Sequence, residues 1–70
     1  MATQTAIETI IANGAVWGGS FKKALVIKGI GWIERYNQGP KAGHVYANLN
    51  GGYQAEVTGS LALAVNVRLG

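Results

Sequence analysis

The sequence predicts an α+β domain, with a short N-terminal helix packed on a four-stranded antiparallel sheet whose last three strands form a meander. Three observations lead there. Between His44 and Leu69 the chain writes runs of alternating apolar and polar residues, broken at Asn50-Gly51-Gly52 and Thr58-Gly59-Ser60. Thr5-Ala6-Ile7-Glu8 near the start has the spacing of a capping box, in which a hydroxyl and a carboxylate satisfy two orphan amides. The stretch from Phe21 to Tyr36 is rich in β-branched residues and interrupted by Gly29 and Gly31.

The helix is expected over Ala6 to Asn13, with Ile7, Ile10 and Ile11 on one stripe and Asn13-Gly14 as the left-handed stop. A helix this short does not persist alone in water, so the isoleucines must lie on the sheet. Gly14 to Ser20 reads as a glycine-rich connector. Phe21 to Tyr36 reads as one long strand, because each glycine inside a helix would cost about 1 kcal/mol. Gly29 and Gly31 fall on one side of that strand, where the backbone must bend or be closely approached. Asn37 to Gly43, with Gly39-Pro40, is a loop. Three-residue loops at the two later breaks set Leu49 against Tyr53, Ala47 against Ala55 and Val45 against Val57. They then set Val57 against Leu61, Ala55 against Leu63 and Tyr53 against Val65. A slip of one residue would invert a strand and expose its apolar side chains. This register makes Tyr53, Leu63 and Val65 core residues and gives Gly51 or Gly52 a positive φ.

Size and composition narrow the function. Seventy residues make one small domain, near the limit at which a single core holds a fold unaided. With no cysteine there is neither a disulfide framework nor a thiolate metal site; one histidine and three acidic residues offer little to a metal. Oligomerisation is the remaining stabilising device. Charged residues are 13% of the chain, against about 25% in an average domain, and eleven glycines add small, featureless surface. No secretory signal pattern and no apolar run of membrane-spanning length is visible, which points to a cytoplasmic protein or part of an assembled particle.

Catalysis is not expected. His44 is the only histidine and begins a strand on the outward side; Ser20 and Ser60 sit beside glycines for backbone reasons. A surface role is the expectation for Glu34 and Glu56, even if strand pairing were to set them side by side. Gly18-Gly19-Ser20-Phe21-Lys22-Lys23 lacks the lysine, hydroxyl and helix that follow a phosphate-binding loop. No metal, cofactor or small-molecule substrate is expected. The leading expectation is a structural subunit that builds a ring, shell or filament from copies of itself. Its contacts would be the terminal strand Leu61 to Leu69 and the neutral outer face carrying Asn48, Gln54, Ala62, Ala64 and Asn66. The net charge of +3 supports an alternative, a small β-rich nucleic-acid-binding domain using Lys22, Lys23, Lys28, Lys41, Tyr46 and Arg68. A membrane-active cationic peptide is a third class, and sheet alternation in place of an amphipathic helix counts against it.

Overall fold

The structure is a computed structural model and describes residues 2–70. Helix α1 (Ala2–Asn13) leads into five strands, β1 (Ala15–Gly18), β2 (Lys22–Ile27), β3 (Gly31–Tyr36), β4 (Val45–Leu49) and β5 (Tyr53–Val57), and the chain closes with helix α2 (Gly59–Leu69). The strands form one antiparallel sheet in the order β1-β2-β3-β4-β5, each paired with its neighbour in sequence. Both helices lie on the same face. Ile7, Ile10 and Ile11 of α1 and Val65 and Leu69 of α2 form one core with Leu25, Ile33, Val45, Ala47 and Val57 of the sheet.

The α+β class and the β4–β5 hairpin follow the sequence. Leu49 pairs with Tyr53, Ala47 with Ala55 and Val45 with Val57. Gly51 and Gly52 both have positive φ, 94° and 86°, so the three-residue loop turns on backbone that only glycine adopts without strain. Tyr53, however, sits at the strand end and is exposed rather than core.

Four expectations are corrected. Leu61 to Leu69 is helix, not strand, so the pairings of Val57, Ala55 and Tyr53 with Leu61, Leu63 and Val65 do not form. Residues 61, 65 and 69 share a face at period 3.6 as well as at period 2, and leucine and alanine are strong helix formers. The helix buries Val65 and Leu69 but turns Leu63 outward, 68% exposed. Phe21 to Tyr36 is a hairpin rather than one long strand. Ile27 pairs with Gly31 across the loop Lys28-Gly29-Ile30, and the Ile30 amide donates to the Ile27 carbonyl at 3.2 Å. Gly31 is where the close approach occurs, since a Cβ there would overlap the Asn48 carbonyl oxygen and lie 2.9 Å from Leu49 Cα. The connector Gly14 to Ser20 supplies β1, making five strands instead of four; its Gly19 amide donates to the Lys22 carbonyl. Finally, α1 begins at Ala2, which leaves Thr5 inside the helix, where its carbonyl accepts from Thr9 Oγ1, instead of at a capping box.

Two side-chain devices fasten the chain ends. The Arg68 guanidinium of α2 donates to the Ile11 carbonyl, in the last turn of α1, and to the Gly14 carbonyl at 2.6 Å. A cation at a helix C-terminus satisfies orphan carbonyls and matches the dipole. Arg35 on β3 donates from Nη1 to Asn66 Oδ1 and from Nε to Asn37 Oδ1, both at 2.9 Å, which anchors α2 and the β3–β4 loop to the sheet.

Candidate functional site

The helices cover one face of the sheet and leave the other open. Side chains alternate along a strand, so the partners of the buried Leu25, Ile33 and Ala47 point inward and the residues between them point out. Cross-strand pairing arranges the outward set in rows. One row is Trp17, Ala24, Glu34, Tyr46 and Glu56; the next is Ala15, Val26, Trp32, Asn48 and Gln54. Lys22 and Tyr36 are paired beyond the first row.

Near β1 the two rows form a cleft of about 240 Å³ lined by Trp17, Lys22, Ala24, Val26, Trp32 and Glu34. Trp17 and Trp32 are 66% and 41% exposed, whereas Glu34 is only 6% exposed. An ionised carboxylate buried this far needs partners. Glu34 has two: Lys22 Nζ at 2.8 Å on Oε1 and Asn48 Nδ2 at 3.2 Å on Oε2. The Lys22 ammonium is held protonated above its ordinary pKa by the hydrogen bond to Glu34, an effect that desolvation partly opposes. Asn48 Oδ1 in turn accepts from Gln54 Nε2 at 2.9 Å, extending the network to the sheet edge.

Beside the cleft runs an aromatic row. Phe21 and Tyr36 meet edge to face at 5.8 Å, Tyr36 and Tyr46 at 6.2 Å, and the His44 ring stacks on Tyr46 at 6.5 Å. Lys22 and Lys41 sit over the rings of Tyr36 and Tyr46, at 5.6 and 5.2 Å from their centroids. His44 Nδ1 contacts Glu56 Oε2 at 3.0 Å.

The residues singled out from the sequence divide between the two faces. Of the candidate cationic and aromatic contacts, Lys22, Lys41 and Tyr46 come together on the open face. Lys28 lies apart in the β2–β3 turn; Lys23 donates to the Leu69 carbonyl and Arg68 to α1 on the helical side. Of the candidate self-association residues, Asn48 and Gln54 lie on the open face. Ala62 and Ala64 pack against the core from α2, and Asn66 is held by Arg35. A single flat patch of all five does not exist, because α2 replaces the strand that would have continued it. Glu34, expected on the surface, is the buried centre of the polar network; its alternation with Ile33 and Arg35 marks the outward face but not the two indoles that line the same cleft.

Among the described residues no group of three or more acidic, histidine or cysteine side chains is placed to hold a metal ion, and no helix is long and apolar enough to cross a membrane. Compared with protein-family models, curated proteins and solved structures, the chain matches none.

Among the described residues the sheet also has two edges without a neighbouring strand, β1 and β5. Strand β1, Ala15-Val16-Trp17-Gly18, is exposed along its whole length and carries neither charge nor proline. On the outside of α2, Leu63 and Val67 stand one turn apart and are both strongly exposed.

Proposed function

We propose that this protein is a structural subunit that assembles with copies of itself by extending its sheet, with β1 as the first bonding edge. The observation that carries this reading is the β1 edge itself. An edge strand presents a row of unpaired amides and carbonyls, and monomeric proteins protect such rows by keeping the strand very short, as β1 is at four residues, or with lysine, proline, bulges or a covering element. Ala15–Gly18 carries none of the protecting residues and exposes Val16 and Trp17. The apolar ridge of Leu63 and Val67 on α2 adds a second surface suited to contact between copies.

Topology favours a particular geometry. With five antiparallel strands, β1 and β5 run in the same direction. A copy added by simple translation would therefore set β5 beside a parallel β1, the less stable pairing. A two-fold axis at β1 instead sets β1 antiparallel to its equivalent, which makes a ten-stranded sheet, and two-fold contacts are the commonest in homo-oligomers. A second two-fold contact at β5 would continue the sheet into a ring or filament. Glu56 on β5 makes that edge the weaker one. The nucleic-acid reading has less support, because Lys23 and Arg68 spend their charge on main-chain carbonyls and Lys22 on Glu34.

Light scattering or native mass spectrometry tests the reading. The parent should have a mass of twice 7.3 kDa or a larger even multiple. A Val16→Lys variant should retain the circular dichroism spectrum but fall to the monomer mass, since Val16 is half exposed and its replacement places a charge on the edge. A monomeric parent, or a Val16→Lys variant of parental mass, overturns it.

A further inference from the structure

We infer that the cleft between Trp17 and Trp32 is a binding site for an uncharged saccharide, taking one pyranose ring with equatorial hydroxyls against the indoles and the Glu34–Lys22 pair. This goes beyond self-assembly and does not depend on it, because sheet extension uses the main chain of β1 and leaves the open face to solvent.

The cleft is built, not incidental. No helix covers this face, yet Ala24 and Glu34 are buried on it, at the foot of two exposed indoles. Trp17 stands on β1 and Trp32 on β3, so the walls are two strand spacings apart, about 10 Å, with β2 as the floor. Ala24 lies directly between Trp17 and Glu34 in its row, and its short side chain keeps the space open. A volume of about 240 Å³ is below the range of drug-sized sites and suits a single ring.

Charge selects among ring-shaped ligands. The carboxylate at the foot is already matched by Lys22 at 2.8 Å, so an incoming cation would meet a neutralised site and be repelled by the ammonium beside it. Lys22 and Lys41 on this face are balanced by Glu34 and Glu56, which gives a phosphate-bearing ligand no net attraction. An uncharged ligand remains.

Hydrogen-bonding capacity then points to hydroxyls. Each Glu34 oxygen accepts one bond from the protein and has a lone pair to spare, and the Lys22 ammonium donates once to Glu34 and keeps two further protons. Acceptor and donor therefore lie side by side. Adjacent hydroxyl groups, each of which can donate and accept, match that pair. The axial C–H groups of a pyranose whose hydroxyls are equatorial make both of its ring faces apolar, which suits contact with an indole on either side.

The chain's only tryptophans are the two that wall this cleft, so their indole N–H signals in a ¹H–¹⁵N spectrum report on it directly. Titration with cellotriose should move both signals saturably, while equal concentrations of uridine or tetramethylammonium should not. Trp32→Ala, read on Trp17, and Glu34→Gln, read on both, should each weaken cellotriose binding about tenfold or more, as expected for lost stacking or a lost charge-assisted hydrogen bond. Val16→Lys, on the other face, should bind as the parent does. The proposal is overturned if cellotriose gives no saturable shift, if binding survives both cleft substitutions undiminished, or if uridine or tetramethylammonium saturates the signals in its place.

Discussion

At the residue scale the most demanding group is Glu34. Its carboxylate is buried on a face without helices, and its stability rests on Lys22 and Asn48. Removing one partner of a buried pair leaves an uncompensated charge, which is why such pairs are sensitive out of proportion to their net worth. The pH dependence follows from Lys22. Its folded pKa is raised above 10.5, chiefly by the hydrogen bond to Glu34, so the pair's contribution is complete below the unfolded value of 10.5 and is lost as pH rises through the higher folded value. Thermal melts of the parent and of Glu34→Gln should therefore differ by their full gap below pH 10.5 and converge only above it, as the lysine loses its proton. A gap between the two that persists undiminished at pH 12 would mean that the ion pair is not what stabilises Glu34. Arg68 shows the opposite use of charge. Written in the sequence as a surface cation near the chain end, it is tied into the carbonyls of Ile11 and Gly14.

At the element scale, α2 separates two readings of the same letters. As a strand, Leu61 to Leu69 would bury Leu63 together with Val65; as a helix it buries Val65 and exposes Leu63. Val65→Ala should cost about 1.5–3 kcal/mol, the burial energy of a valine side chain, measured by urea unfolding. Leu63→Ala should change stability by less than about 0.5 kcal/mol in the monomeric Val16→Lys background. A Leu63→Ala cost above that of Val65→Ala would return the strand assignment. The β4–β5 hairpin was legible because its alternation, its Asn50-Gly51-Gly52 loop and its register agree with one another. A loop of the same length occurs at Lys28-Gly29-Ile30, with only Gly29 at positive φ, but β-branched residues on both sides of it hid the turn, and Gly31 belongs to the next strand. Strand β1 was hidden for a different reason: four residues between glycines are too few to show alternation, and pairing with β2 makes them a strand. In α2, Ala62 and Ala64 fall on the polar side of a strand alternation, yet alanine favours a helix. The cleft was illegible because it needs β1. Without that strand Trp17 has no place beside Ala24, and Glu34 has no second wall to bury it.

At the scale of the whole molecule, the two apolar surfaces and the small core are one problem. A 70-residue domain buries a modest fraction of its unfolded surface, and among its described residues this one draws its core from ten buried side chains while leaving Trp17, Leu63 and Val67 outside. Sheet extension at β1 would pair an open edge and add stability that the isolated fold lacks. Folding and association are then linked, and the melting temperature must depend on protein concentration, because dilution favours the dissociated, unfolded chain. For a domain of this size a tenfold dilution of a folded dimer should lower Tm by about 3–6 °C. Val16→Lys should melt at a lower temperature than the parent and show no such dependence. Scanning calorimetry across a hundredfold range of concentration checks both statements together. A parent whose Tm stays constant over that range draws no stability from a second copy, and the β1 edge would then be tolerated in a monomer by means other than pairing.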